Sequence, residues 1–350
     1  MNPAALLIDF LSAIAAGLLL ARLAPALGLV DHPGGRKDHI GVTPLVGGLA
    51  IFMALVVSAF MGDVHWIVVL AASWVVVAGV ADDRFEIPAF PRFILQGLAA
   101  LTMAYGAAVV LRGVGNLIGI GPINFGPLAI VMTVFCVVGV INAINMIDGV
   151  DGLSGSIAAT AFAAYAYVAH GSNLFPQTKT LLTLLAGTLG FLMLNMRLPW
   201  NPKARIFMGD TGSMLTGFMI AWFAVDLTMG EGRTFAPINA LWVVMIPLCD
   251  CVSLMIRRKR AGRKMTAPDS EHLHHYFKKR GFGIAQTQWA IAGLNAVFAV
   301  AAIAAWKLRV PEPAMFAVFV AFFLGYHRFM KRAFAVNQVQ DRLSFRRSPE

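Results

Sequence analysis

The stretch INAINMIDGVDGLSG, residues 141–155, sets two carboxylates, Asp148 and Asp151, among glycines between two long apolar runs. Three residues apart, the two acids point the same way in a helical turn. Gly149, Gly152 and Gly155 weaken that helix and let the backbone approach a ligand closely. Such a pair is a poor way to end a membrane helix and a good way to hold a divalent cation or a hydroxyl donor. One turn earlier, Asn142 and Asn145 either orient the carboxylates or pack through interhelical hydrogen bonds.

Other acids follow the same rule of sitting where apolar runs end. Asp82 and Asp83 close a long apolar run in VADDRFEI, where an unpartnered charge is costly to desolvate. Arg92 starts the next run and can lean back toward them, or snorkel as an ordinary interfacial arginine. Asp210, in RIFMGDTGS, sits between Gly209 and Thr211 at the start of another run. A plain helix cap accounts for the nearby hydroxyls, whereas exposed helix-start N–H groups beside an acid suit a place where phosphate and cation meet. Phe207 is either a stacking surface for a flat ring or an interfacial anchor. In HLHH, the imidazoles of His272, His274 and His275 lack the cysteines of a soft-metal site and suit phosphate oxygens better, with loop solvation as the plainer reading. Asp250 lies inside an apolar run with no visible partner, which marks it as a functional candidate. No role is assigned to Asp9 or Asp226.

What positions these groups is a membrane bundle. Hydrophobic residues make up 58% of the 350 and charged residues 13%, against about 45–50% and about 25% in soluble domains. Eleven apolar runs, at about 4–24, 46–62, 65–81, 93–111, 127–144, 155–170, 180–196, 212–229, 236–256, 285–306 and 311–329, predict an all-α polytopic bundle with about 11 transmembrane helices. The expected organisation is a transmembrane domain over 1–330 and a basic cytoplasmic tail over 331–350. Assigning alternate loops to opposite sides puts 22 Lys and Arg on one and 5 on the other. The rule that cytoplasmic loops are basic then predicts an outside N-terminus, a cytoplasmic C-terminus, and all the candidate acids and histidines at the cytoplasmic face. Net charge of +10 follows mostly from this topology and from basic residues meeting membrane lipids, so no nucleic-acid partner is expected. Cys136, Cys249 and Cys251 fall in apolar runs without disulfide or metal spacing.

Hard carboxylates beside glycines and basic residues describe a Mg²⁺ site that handles phosphate, and the same oxygen ligands accept Mn²⁺. At the lip of a helix bundle, such a site can meet a lipid phosphate whose tail stays in the bilayer and a soluble nucleotide sugar. The reaction class is phosphoryl transfer to a lipid carrier. A transporter is the rival reading, since polar groups at broken helices also mark transport paths; it would place them near the midplane, within two similar halves.

Five ordered motifs, DHPGGRKDHIGVTPLVGG (31–48), VADDRFEI (80–87), NAINMIDGVDGL (142–153), RIFMGDTGS (205–213) and APDSEHLHH (267–275), resemble those of the polyprenyl-phosphate N-acetylhexosamine-1-phosphate transferases. Within that family, the combination is most similar to members that begin O-antigen and related surface polysaccharides in the bacterial inner membrane. The resemblance implies transfer of GlcNAc-1-phosphate from UDP-GlcNAc to undecaprenyl phosphate, with release of UMP. Another UDP-N-acetylhexosamine or UDP-MurNAc-pentapeptide is the alternative donor, although HLHHY fits the latter's histidine motif less well. By the same resemblance, Asp210 ligates Mg²⁺. Asp82, Asp83 and Asp148 are the catalytic acids, with Asp82 orienting or deprotonating the acceptor phosphate. Asp151 lines the nucleoside site, Phe207 packs on uracil and Arg92 neutralises the pyrophosphate. Asn145 and the three histidines complete the substrate-binding set, and a homodimer is left open.

Overall fold

The computed structural model describes residues 2–32, 41–199, 201–229, 235–263 and 271–345, with side chains up to 335 in the last helix. Positions 33–40 of the early motif, 267–270 of the histidine motif, and the basic residues Arg36, Lys37, Arg233, Lys264, Arg346 and Arg347 lie outside the described residues.

Thirteen helices are described: α1 (Pro3–Leu27), α2 (Gly47–Phe60), α3 (Trp66–Phe85), α4 (Ala89–Gly106), α5 (Ala129–Ile147), α6 (Leu153–Gly171), α7 (Phe175–Asn195), α8 (Gly209–Met229), α9 (Pro237–Val243), α10 (Met245–Arg260), α11 (Leu273–Lys279), α12 (Ile284–Lys307) and α13 (Glu312–Phe345). Two short antiparallel pairs join loops: β1 (Val30–Asp31) with β2 (Thr43–Pro44), and β3 (Gly113–Gly115) with β4 (Ile123–Asn124). Local chemistry sets the ends. Asn2 Oδ1 accepts the Ala4 N–H at 3.0 Å to start α1, and Gly28 ends it in the left-handed region at φ 68°.

The protein is an all-α multi-pass membrane bundle, but with fewer long crossings than the eleven expected. Among the described residues, seven helices are long and apolar enough to span: Pro3–Leu27, Trp66–Phe85, Gly126–Ile147, Phe175–Asn195, Gly209–Met229, Ile284–Lys307 and Glu312–Ala335. An eighth span requires joining α9 and α10 across a bend of 86°. The expected span at 46–62 shrinks to the 14 residues of α2, about 21 Å of helix against a hydrocarbon core of about 30 Å. Those at 93–111 and 155–170 correspond to α4 and α6, which interrupt their apolar character with Gln96 and Thr102, and with Ser154, Ser156 and Thr160. The run at 236–256 is the bent pair.

At the centre is α8, 83% of whose most apolar stretch is buried inside the protein, compared with 22% for α1 and 17% for α13. Small residues allow the close approach: a Cβ on Gly79 of α3 would lie 2.2 Å from Thr211 Cα, and one on Gly48 of α2 would lie 2.2 Å from Gly212 N. These contacts fix the start of α8, where Asp210 sits.

Candidate active site

The start of α8 is capped from another helix. Asp83, in the last turn of α3, accepts the Asp210 N–H on Oδ1 at 2.7 Å; its Oδ2 accepts the Thr211 N–H at 3.0 Å and the Thr211 hydroxyl at 2.6 Å. A carboxylate here satisfies two otherwise orphaned helix donors and complements the positive end of the helix dipole. Gly209 makes the geometry possible, since it adopts φ +70° and a Cβ on it would lie 2.6 Å from Asp83 Oδ2. Asp210 is thereby turned toward α5, whose Asn145 amide contacts Asp210 Oδ1 and donates to Ser213 Oγ at 2.9 Å.

Asp82, preceding Asp83, is 6% exposed and forms an ion pair with Arg92 of α4. Asp148 caps α5, and Asp151 follows on the turn into α6. Asp151 Oδ2 accepts a hydrogen bond from Arg197 Nε at 2.7 Å. Burial pushes the Asp148 carboxyl well above the usual range, and the charges of Asp210, Asp83 and Asp151 push it in the same direction. The turn itself is tied down by Asn195, whose Oδ1 accepts the Gly152 N–H at 2.7 Å while its Nδ2 donates to Ile206 O at 2.8 Å. Phe207 is held next to β2: its N–H donates to Pro44 O at 2.8 Å, and its carbonyl accepts the Gly47 N–H at 2.9 Å.

These segments enclose one cavity of about 720 Å³ at one end of the bundle, within the usual range for small-molecule sites. Asp82, Asp83, Asn145, Asp148, Asp151, Phe207 and Asp210 line it, together with His274 and His275. Arg92 and His272 are not in its wall; Arg92 reaches it through Asp82, and His272 stacks on His274 with ring centres 5.5 Å apart. Burial and neighbouring positive groups lower the proton affinity of both wall histidines, taking His275 to about 4, so both are neutral near pH 7.

Residues not singled out from the sequence also line the cavity, notably Asp31, His32, Asn195, Arg197 and Lys278. Asp31 and His32 open the first motif, which was a usable signal. Arg197 carries none, because its partner Asp151 is 46 residues away.

Among the described residues no group of three or more His, Cys, Asp or Glu side chains is arranged as a metal cage. Mg²⁺ does not require one, since it commonly takes one or two carboxylates and completes its shell with water and substrate phosphate. Asp210, an oxygen donor with the Asn145 amide against it, fits that pattern.

A family model described as glycosyl transferase family 4 matches residues 65–228. The chain is 34% identical over 322 residues to the undecaprenyl-phosphate alpha-N-acetylglucosaminyl 1-phosphate transferase of Haemophilus influenzae, covering 91% of each chain. It is 33% identical to the proteins of that description from Yersinia pestis, over 93% of this chain and 91% of the relative, and from Escherichia coli K12, over 93% and 90%.

Proposed function

The chain belongs to glycosyl transferase family 4, the polyprenyl-phosphate GlcNAc-1-phosphate transferases, and on that premise we propose that it transfers GlcNAc-1-phosphate from UDP-GlcNAc to undecaprenyl phosphate. The observation that carries this reading is the single cavity shared by acids from α3, the α5–α6 turn and α8 with the histidines of α11. In the reaction, an oxygen of undecaprenyl phosphate attacks the β-phosphorus of UDP-GlcNAc. The new P–O bond forms as the bond from that phosphorus to the bridging oxygen breaks, giving undecaprenyl-diphosphate-GlcNAc and UMP. This is the first membrane step of a surface polysaccharide such as O-antigen.

Asp210, with Asn145 beside it, would hold Mg²⁺. When bound, the cation neutralises charge developing on the diphosphate oxygens. A phosphate monoester is largely dianionic near neutral pH, with a second pKa of about 6, so the acceptor needs little help to lose a proton. Direct attack fits the side chains: Asp82 is paired with Arg92 and suits orienting the acceptor phosphate, and Asp83 is engaged by three donors. Asp151, oriented by Arg197, and Phe207 form the uridine end of the cavity, while Asp148, His274 and His275 face the phosphates. The site opens to the cytoplasm, the source of the nucleotide sugar, and the enzyme resides in the inner membrane.

Purified protein supplied with Mg²⁺, undecaprenyl phosphate and UDP-GlcNAc is expected to release UMP and undecaprenyl-diphosphate-GlcNAc in equal amounts, and EDTA is expected to stop both. Folded protein that forms no lipid-linked sugar under these conditions overturns the reading. Competition among UDP-GlcNAc, UDP-GalNAc and UDP-MurNAc-pentapeptide tests the donor.

The neutral histidines add a pH prediction. A bound diphosphate favours imidazolium, so it raises the proton affinity of His275 from its depressed value of about 4. Binding of UDP-GlcNAc, whose diphosphate is fully ionised at these pH values, therefore takes up protons. Affinity is expected to rise as pH falls below the raised pKa toward the free-state value of about 4. Calorimetry in two buffers of different ionisation enthalpy measures the uptake; a buffer-independent heat contradicts it.

A further inference from the structure

The charged group left over from the site is Asp250. It lies on α10, six residues beyond the bend at Val244, and is 1% exposed. Three donors converge on it. Its Oδ2 accepts from His272 Nδ1 at 2.8 Å, and its Oδ1 accepts from the Leu273 N–H at 3.2 Å and the Tyr326 hydroxyl at 2.7 Å. One carboxylate thus joins α10, the start of α11 and α13.

The tether matters because of what it holds. A helix of seven residues, the length of α11, is too short to be stable by itself, so its place depends on its anchors. His272 lies parallel to His274, with an angle of 6° between the rings, and His274 is in turn 4.2 Å from His275. On the cavity side, His274 Nε2 sits so close to Gly149 that a Cβ there would be 2.3 Å away. His274 Nδ1 has no hydrogen-bond partner among the described residues, so no hydrogen bond there fixes its ring plane. Packing places the ring instead, between Gly149, His275 and the parallel ring of His272, and of these His272 is itself held by Asp250.

We propose that Asp250 and Tyr326 are positioning residues of the transfer reaction, fixing His272 so that His274 and His275 are presented to the cavity at a set angle. This rests on the transferase reading given above. Burying a carboxylate in the bundle is costly without donors, and here two of the three come from the start of α11, whose His274 and His275 line the cavity, while the third ties the carboxylate to α13. The arrangement follows the logic of groups that orient a ligand-facing histidine through its other ring nitrogen, displaced by one ring.

Two measurements on the full-length enzyme in detergent test it. In Asp250→Asn, amide hydrogen exchange over residues 271–280 is expected to quicken by at least 10-fold, while exchange in α8 is unchanged; unchanged exchange over 271–280 overturns the tether whatever the substrate. For product formation, Asp250→Asn is expected to lower kcat by roughly 10- to 100-fold, and His272→Gln to do the same. The double variant is expected to be no slower than the slower single variant, within about 3-fold, because both remove one linkage. Losses that multiply show that Asp250 acts independently of His272 and overturn the proposal. Tyr326→Phe, which removes one donor and leaves the carboxylate in place, is expected to slow turnover by about 3- to 10-fold with a modest fall in melting temperature; full turnover in this variant overturns its part in the tether. Wild-type enzyme that forms no undecaprenyl-diphosphate-GlcNAc refutes the transferase reading instead, and the exchange result then stands by itself.

Discussion

Replacing Asp210 with asparagine is expected to lower turnover by about 10³-fold, equivalent to about 4 kcal/mol in activation free energy, while leaving the fold intact. Asparagine has the shape of aspartate and keeps an oxygen to accept from the Asn145 amide, while the backbone keeps its own anchors: the N–H donates to Asp83, and Gly209 provides the turn before it. What the substitution removes is the negative charge that would hold the cation. Melting temperature and gel-filtration profile should match the unaltered enzyme, and raising Mg²⁺ should recover little activity. Unchanged turnover would contradict the ligand role outright.

Asp83→Ala is expected to fail differently. The carboxylate accepts from two backbone N–H groups and one hydroxyl at the start of α8, and its loss leaves those donors unpaired inside the protein. A cost of about 2–4 kcal/mol in stability is expected, seen as a lower melting temperature. Turnover should fall by more than about 100-fold, because Asp210 stands on the turn that loses its cap. Asp83→Asn keeps one oxygen acceptor and should be less unstable. The comparison separates two roles for the same acid. If Asp83→Ala abolishes turnover at an unchanged melting temperature, the side chain acts on the substrate and the cap is incidental.

The candidate site was legible as residue types more than as partnerships. Asp148, Asp151, Asp210 and the histidine motif stand out in the sequence because acids and imidazoles are costly at a membrane edge, and the structure puts the three acids, His274 and His275 around one cavity, with His272 behind them. The pairings were not visible. Arg197 finds Asp151 across 46 residues, His272 finds Asp250 across 22, and Asp83 finds the start of α8 across 127. None of these separations carries a periodic signal. The span count failed for a related reason: apolar composition reports removal from water and does not distinguish lipid from protein. Residues of α2 such as Ile51, Ala54 and Leu55 are buried against neighbouring helices, and 14 residues suffice for that purpose though not for a crossing. The bend between α9 and α10 was equally hidden, because both sides of it are apolar.

The cap on α8 also has a consequence for how the protein is made. Asp83 leaves the ribosome 127 residues before the first backbone group that will bond it, a delay of about 6–25 s at ordinary elongation rates. Throughout that interval α3 carries two adjacent acids at its end with no α8 to receive them. Asp82 meets Arg92 within ten residues, but Asp83 must stay hydrated or protonated at the membrane surface, which favours keeping the end of α3 at the interface until residue 211 arrives. Assembly of the catalytic end is therefore a late event in synthesis, and a chain that stops before α8 leaves Asp83 without the helix start it caps.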